Sequence, residues 1–255
     1  MFSRIRRAHY LFAAGLFGIL GFHVGVWAVQ LAPLAAGIGL DPAALGGTVT
    51  VAAAAGLVTL FVGGRLADRV GRRPVLVIGF AGTGTGTAFA LLALAGRFAV
   101  LVPVVMLYGL AISFVDLGAN TVGSAYEQAY RVTAMTGLHA WFSAGALTGA
   151  IGSAAALRAG LSYRDVYLAL AVVMAAGLLT TLLAGIPAPA GPAGPAPDGQ
   201  PPRTDGTRVW RVPAVLFAIA LISVTFFGDG ALEARSPSAC SPRPPACDSL
   251  SRSSS

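Results

Sequence analysis

The chain has 255 residues, of which 56% are apolar and only 11% charged, and its mean hydropathy is +0.76. Soluble domains are close to a quarter charged, so this composition excludes an ordinary soluble protein and predicts an all-α, polytopic membrane protein. The net charge of +7 comes from 17 arginines without a lysine. Because these arginines lie in short segments between apolar stretches, they indicate membrane topology and not nucleic-acid binding.

The first two apolar stretches are predicted to cross the membrane. A basic head, residues 1–7, precedes an apolar run over 8–34, which is too long for the core of a signal peptide and predicts an uncleaved first helix with a cytoplasmic N-terminus. In the following loop, Asp41 and Pro42 are suited to the N-cap and first position of a helix. The second helix is predicted over 44–63.

A charged segment, 64–74, separates the second helix from a third, predicted over 74–95. Four arginines in a short loop place this segment on the cytoplasmic side. Asp68 is expected to cap a helix or pair with an arginine, and Gly64 and Gly71 are expected to permit close approach and a tight turn. Pro74 fits the first turn of the next helix.

Three more helices follow, and the arginines fit their topology. They are predicted over 98–127, 137–157 and 166–186, with an outer loop at 158–165. The cytoplasmic segments then hold 11 arginines and the outer loops 3, which supports a cytoplasmic N-terminus. The glycines near 79–86 predict close helix packing and not a phosphate loop. Residues 1–186 are thus predicted to form one six-helix bundle.

The last quarter of the chain differs in composition. Residues 187–211 are rich in Pro and Gly and predict a cytoplasmic linker, and 212–230 predict a seventh transmembrane helix. Residues 231–255 predict a disordered tail, and the abrupt change after Glu233 favours an out-of-frame sequence over a natural tail. A chain that ends here is expected to accumulate poorly and to transport nothing by itself.

No enzyme, cofactor or metal is predicted. Both cysteines, Cys240 and Cys247, lie in the tail, and the sequence lacks the nucleotide-binding, serine-hydrolase and zinc-protease motifs.

The charged segment resembles a known signature, G-x-L-A-D-R-x-G-R-R-x-x-L, of the major facilitator superfamily. The resemblance implies a twelve-helix secondary transporter built from two six-helix halves, and a loop that latches those halves in one state. It assigns the latch to Gly64, Asp68, Arg69, Gly71, Arg72 and Arg73.

The sequence at 116–145 and 227–233 resembles the bacterial branch of this superfamily that is related to fucose permease. The whole resemblance spans residues 8–233. It implies transport of a small solute by alternating access in the bacterial inner membrane, with proton coupling left open. Two alternatives also remain open. One is a drug-efflux antiporter, although its R-x-x-x-G-x-G motif is missing; the other is a membrane fragment that binds or assembles with a separate second-half chain.

Polar residues inside the spans are the candidates for the solute or proton pathway, since ionisable groups there are costly and often line water-filled paths. On helix one, His23, Trp27 and Gln30 share a face. On helix four, Asp116, Asn120 and Glu127 share another, and helix five adds His139. The alternatives are hydrogen bonding between helices, packing, and a fourth helix that ends near residue 115.

Overall fold

The computed structural model describes residues 2–84, 91–92 and 94–185, and this part of the chain is a bundle of α-helices without a strand. The all-α, polytopic fold predicted from composition is therefore confirmed. The predicted linker, seventh helix and tail lie outside the described residues. The helices are α1 (Phe2–Ile38), α2 (Pro42–Val70), α3 (Arg72–Gly84), α4 (Phe98–Tyr130), α5 (Met135–Arg158) and α6 (Tyr163–Leu183).

Five of these helices are long and apolar enough to cross a membrane: α1, α2, α4, α5 and α6. The predicted third span is only partly described, by α3 and by helical residues 91, 92 and 94. Large apolar side chains stay exposed on these helices, for example Phe61 on α2, Ile151 on α5 and Leu183 on α6. Such surfaces are suited to lipid, because acyl chains do not penalise exposed apolar groups.

The predicted start of α2 is confirmed in detail. Asp41 is the N-cap, its Oδ1 accepts the Ala44 N–H at 2.7 Å, and Pro42 occupies the first helical turn. α1 ends at Ile38 and is followed by Gly39, whose φ of +74° is a conformation that favours glycine. The loop between α1 and α2 is thus shorter than the predicted 35–43.

The charged segment is mostly helix, and the prediction of a loop over 64–74 is wrong at this point. α2 continues to Val70, and α3 already begins at Arg72. Gly71 alone separates them, with a φ of +84°, so the tight turn predicted at this glycine is confirmed. Gly64 lies inside α2, and a Cβ added there would meet no atom within 4 Å, so it does not serve close approach. Pro74 lies in the first turn of α3, as predicted.

The later helices are longer than predicted at several ends. α4 begins at Phe98, as predicted, but runs on to Tyr130, so the alternative that it ends near residue 115 is wrong. The outer loop before α6 shrinks to 159–162, because Ser162 and Asp165 form a capping box that starts the helix three residues earlier than predicted. Continuing the helix beyond the apolar stretch pairs the backbone N–H and C=O groups near the membrane surface. This explains why the helices are longer than their apolar stretches.

Glycines set how closely the helices approach one another. A Cβ at Gly21 of α1 would lie 1.9 Å from the Phe142 carbonyl of α5, and one at Gly145 of α5 would lie 2.2 Å from the Gly18 carbonyl of α1.

α4 makes similar close contacts with α2 and α3. A Cβ at Gly109 of α4 would lie 2.0 Å from the Ala52 carbonyl of α2, and one at Gly79 of α3 would lie 2.6 Å from the Val115 nitrogen of α4. The packing expected from the glycines of helix three is thus observed at Gly79. α1 packs mainly on α5, α2 on α4, and α3 on α4 and α6.

Candidate functional site

A carboxylate and an amide form a pair in the middle of α4. Asn120 Nδ2 donates to Asp116 Oδ1 at 2.9 Å and to the Asp116 carbonyl at 3.0 Å, and both residues are half-buried. These two bonds fix the amide beside the carboxylate. Within the described residues neither Asp116 Oδ2 nor Asn120 Oδ1 has a hydrogen bond, so the pair offers two acceptor oxygens to a further group.

His139 of α5 lies within electrostatic reach of Asp116. Its ring packs on Phe17 with 5.2 Å between the ring centroids. Nδ1 lies 2.9 Å from the Met135 carbonyl, which can only accept, so Nδ1 carries the proton and Nε2 remains for another partner. The side chain is exposed. Asp116, Asn120 and His139, here called the polar cluster, thus combine α4 and α5.

Asp116 lies well inside α4, far from either end of the helix. Asp116 is ten residues from Tyr126, and Tyr126 and Tyr130 pack together near the end of α4 with ring centroids 4.9 Å apart. Tyrosines are typical of the membrane interface. Ten helical residues span about 15 Å, which is half of a hydrocarbon core of about 30 Å. Asp116 therefore lies about half the thickness of a hydrocarbon core away from these tyrosines along α4.

The helix-one candidates lie elsewhere, inside the six-helix bundle. His23 is only 3% exposed; its Nδ1 donates to the Leu20 carbonyl at 2.6 Å, and its Nε2 accepts from the Tyr108 hydroxyl of α4 at 3.0 Å. Trp27 stacks on Tyr108 with ring centroids 4.3 Å apart. These contacts join α1 to α4 and use both ring nitrogens of His23.

Gln30 joins α1 to α5 through a buried hydrogen bond. Its Nε2 donates to Ser153 Oγ at 2.7 Å, and the two side chains are 0% and 3% exposed. Its Oε1 is buried and has no hydrogen-bond partner among the described residues. Rotating the amide would let Ser153 donate to Oε1 but would leave Nε2 unpaired, so one polar group lacks a partner in either orientation.

Glu127 holds the start of α5. Its Oε1 accepts the backbone N–H groups of Ala134 and Met135 at 2.5 and 2.8 Å, two of the groups that a helix N-terminus leaves without a partner. This bond links the end of α4 to the start of α5. Glu127 is thus engaged in this cap, and a pathway role for it stays a prediction.

The signature residues lie at the end of the bundle where α2, α3 and α6 meet. The Arg73 guanidinium donates to the carbonyls of Leu182, at 3.5 Å, and Ala184, at the end of α6. A cation at this position also complements the negative end of the helix dipole. The side chain of Asp68 lies outside the described residues. The latch function of the segment stays a prediction.

Two contributors were missed by sequence reasoning. Tyr108 and Ser153 are the partners of His23 and Gln30, and both lie in apolar helices where a single hydroxyl gives little signal. A search for hydroxyl groups on facing helices would have listed them, together with many others. No group of three or more potential metal-ligating side chains occurs in the described part of the chain.

The family model described as Major Facilitator Superfamily matches residues 10–239. That range is close to the stretch of 8–233 over which the sequence shows the resemblance. No curated protein matches the chain significantly.

Proposed function

This chain belongs to the major facilitator superfamily of membrane transporters, and we propose that its polar cluster binds a small polar solute during alternating access. The half-buried Asp116–Asn120 pair well inside α4 carries the proposal, since a carboxylate within a membrane span is costly unless it faces a polar path. Its two unoccupied oxygens suit a solute rich in hydroxyl or amine groups. The text resembling fucose permease supports the same class of solute.

We further propose that Asp116 exchanges a proton during transport. A carboxylate that is uncharged while the site is closed and charged while it is open would couple solute movement to the proton gradient. His139, whose ring is exposed on α5, is a further candidate for the proton pathway. In the mechanism proposed here, the solute and a proton cross the membrane in the same direction, which is symport.

The central site of this architecture lies between two six-helix bundles, so the polar cluster would contribute one wall. The second wall would come from another bundle, whether in the same protein or in a separate chain. His23, Trp27 and Gln30 would act behind this wall by holding α1 against α4 and α5. Placement in a bacterial inner membrane belongs to the same proposal. The arginine distribution supports a cytoplasmic N-terminus.

The proposal is tested by replacing Asp116 with Asn in membrane vesicles that carry the protein. A panel of radiolabelled hexoses, amino sugars and small polyols is offered with and without an imposed proton gradient. Asp116→Asn is expected to retain exchange of solute across the membrane and to lose gradient-driven accumulation by at least about tenfold, since Asn cannot release a proton.

The matched control is Asp41→Asn, at the exposed N-cap of α2, where Asn caps as well as Asp and transport should not change. Accumulation by Asp116→Asn at the wild-type level would exclude the proton role. In vesicles that also hold the second six-helix bundle, failure of the wild type to move any solute of the panel would exclude the proposed solute class.

A further inference from the structure

A polar pocket lies at the end of the bundle that holds the N-terminus. It has a volume of about 260 Å³ and is bounded by α1, the end of α4 and the start of α5. Its lining residues are Arg6, Tyr10, Tyr126, Val132, Thr133, Ala134 and Gly137. We call it the headgroup pocket.

Arg6 gives this pocket its charge. The side chain is exposed, acts electrostatically on Tyr126, and makes no hydrogen bond or ion pair within the described part of the chain. Tyr10 and Tyr126 form the wall, with ring centroids 5.7 Å apart. An arginine fork beside two phenol groups and the Thr133 hydroxyl matches the oxygens of a phosphate group.

The start of α5 does not supply the anion site, because Glu127 already occupies it. The Glu127 carboxylate accepts the Ala134 and Met135 N–H groups and so interacts with the positive end of the helix dipole. An anionic ligand in the pocket must therefore be bound by Arg6 and the hydroxyl groups. Arg6 also disfavours the alternative that the tyrosines cage a quaternary ammonium by cation–π contacts.

A second, apolar groove lies further along the same two helices, α1 and α5. It has a volume of about 520 Å³ and is lined by α1, α5 and Val173 of α6. The same face of α1 lines both cavities: Arg6 and Tyr10 line the pocket, and Ala14 and Gly18 line the groove, each about one turn after the last. On α5, Gly137 lines the pocket, and Trp141 and Thr148 line the groove.

We propose that the headgroup pocket and the groove together bind one anionic phospholipid, with its phosphate at Arg6 and an acyl chain between α1 and α5. Charge and placement agree: a basic pocket lies among tyrosines, which are typical of the membrane interface, and an apolar groove follows further along the same two helices. A free phosphate would use the pocket but not the groove, so the placement of both on the same faces of α1 and α5 favours a lipid.

The test measures thermal unfolding of the detergent-solubilised full chain while dioleoyl phosphatidylglycerol, dioleoyl phosphatidylcholine or inorganic phosphate is titrated. Phosphatidylglycerol is expected to raise the melting temperature saturably, with a midpoint at least about tenfold lower than that of phosphatidylcholine. Arg6→Gln should raise the phosphatidylglycerol midpoint about tenfold. Arg4→Gln is the matched control, because Arg4 does not line the pocket, and its midpoint should not change.

A second variant probes the groove and separates the two sources of phosphate. A Cβ at Gly15 would meet no atom within 4 Å, so Gly15→Phe fills the groove without a clash at its root. It should weaken phosphatidylglycerol binding and leave Arg6 in place. An unchanged phosphatidylglycerol midpoint in both Arg6→Gln and Gly15→Phe would overturn the proposal. So would stabilisation by inorganic phosphate that equals that by phosphatidylglycerol, because the ligand would then be the free anion. If Arg6→Gln does not accumulate, Gly15→Phe and Thr133→Ala decide the question alone.

Discussion

The buried amide of Gln30 shows how one side chain can join two membrane helices at a cost. Its hydrogen bond to Ser153 links α1 and α5, yet its Oε1 is buried without a partner among the described residues. In hydrocarbon an unpaired polar group is destabilising, whereas hydrogen bonds between membrane helices contribute little on average. The pair therefore stabilises the bundle less than its burial suggests.

Removing one member of this pair should cost more than removing both. Ser153→Ala leaves the Gln30 amide with no partner, and we expect the free energy of unfolding to fall by about 1–2 kcal/mol. The double variant Gln30→Met with Ser153→Ala removes both polar groups and should lie within about 0.5 kcal/mol of wild type. Unfolding by sodium dodecyl sulfate in mixed micelles measures both. A double variant as unstable as Ser153→Ala would show that the cavity, and not the unpaired amide, sets the cost.

Glu127 makes a separate prediction at the start of α5. Glu127→Ala removes the acceptor of the Ala134 and Met135 N–H groups, and loss of such a cap costs about 1 kcal/mol. Hydrogen exchange at these two amides should become several-fold faster, while that in the middle of α5 should not change. Glu127→Gln is the control, because its carbonyl oxygen can still accept both bonds. Equal exchange in wild type and Glu127→Ala would show that the cap contributes nothing.

At the scale of helices, the approach of α1 to α5 depends on glycine at the crossing. Gly145→Ala would place a Cβ 2.2 Å from the Gly18 carbonyl, and backbone atoms cannot move aside as a flexible side chain can. We expect the two helices to separate and the free energy of unfolding to fall by about 1–3 kcal/mol. Melting of the purified protein in one detergent, followed by circular dichroism, measures this loss.

The same helix offers a control with the opposite expected sign. A Cβ at Gly152 would meet no atom within 4 Å, so Gly152→Ala should be neutral or stabilising by about 0.5–1 kcal/mol through helix propensity alone. If both variants lower the melting temperature equally, close packing at Gly145 is not what matters.

Helix existence could be predicted from the sequence, but helix ends and crossings could not. Uninterrupted apolar stretches predict the membrane spans, and Asp41–Pro42 predicts the start of a helix, because both signals depend only on residues close together in the sequence. The sequence does not predict that α2 continues through Arg65 and Arg69, since charged residues are compatible with both a loop and a helix at a membrane surface. The partners of each glycine depend on which helices meet, which no local pattern specifies.

At the scale of the whole molecule, the same limit applies to the site. Residues at i, i+4 and i+7 share a face of a helix, so Asp116 with Asn120, and His23 with Trp27, could be grouped from spacing. Spacing does not say whether a face turns toward the other helices or away from them. Only the packed bundle separates the buried contacts of His23 from the half-exposed polar cluster.

The orientation of the bundle in the membrane is the last prediction. Eight arginines of the described chain lie at the end that holds the N-terminus and the signature segment, and three lie at the other. The positive-inside rule then assigns the first end to the cytoplasm. In a background with Cys240→Ser and Cys247→Ser, Ala159→Cys should react with a membrane-impermeant maleimide in intact cells.

Ser3→Cys should react at least about tenfold less until the cells are permeabilised, since the membrane then shields the N-terminus. Both positions are exposed, so a difference in labelling reports the side of the membrane and not burial. The reverse pattern would place Arg6 and its tyrosines in the outer leaflet. The headgroup pocket would then meet the lipids of that leaflet, and the charged signature segment would lie outside the cell, against the arginine distribution of the described chain.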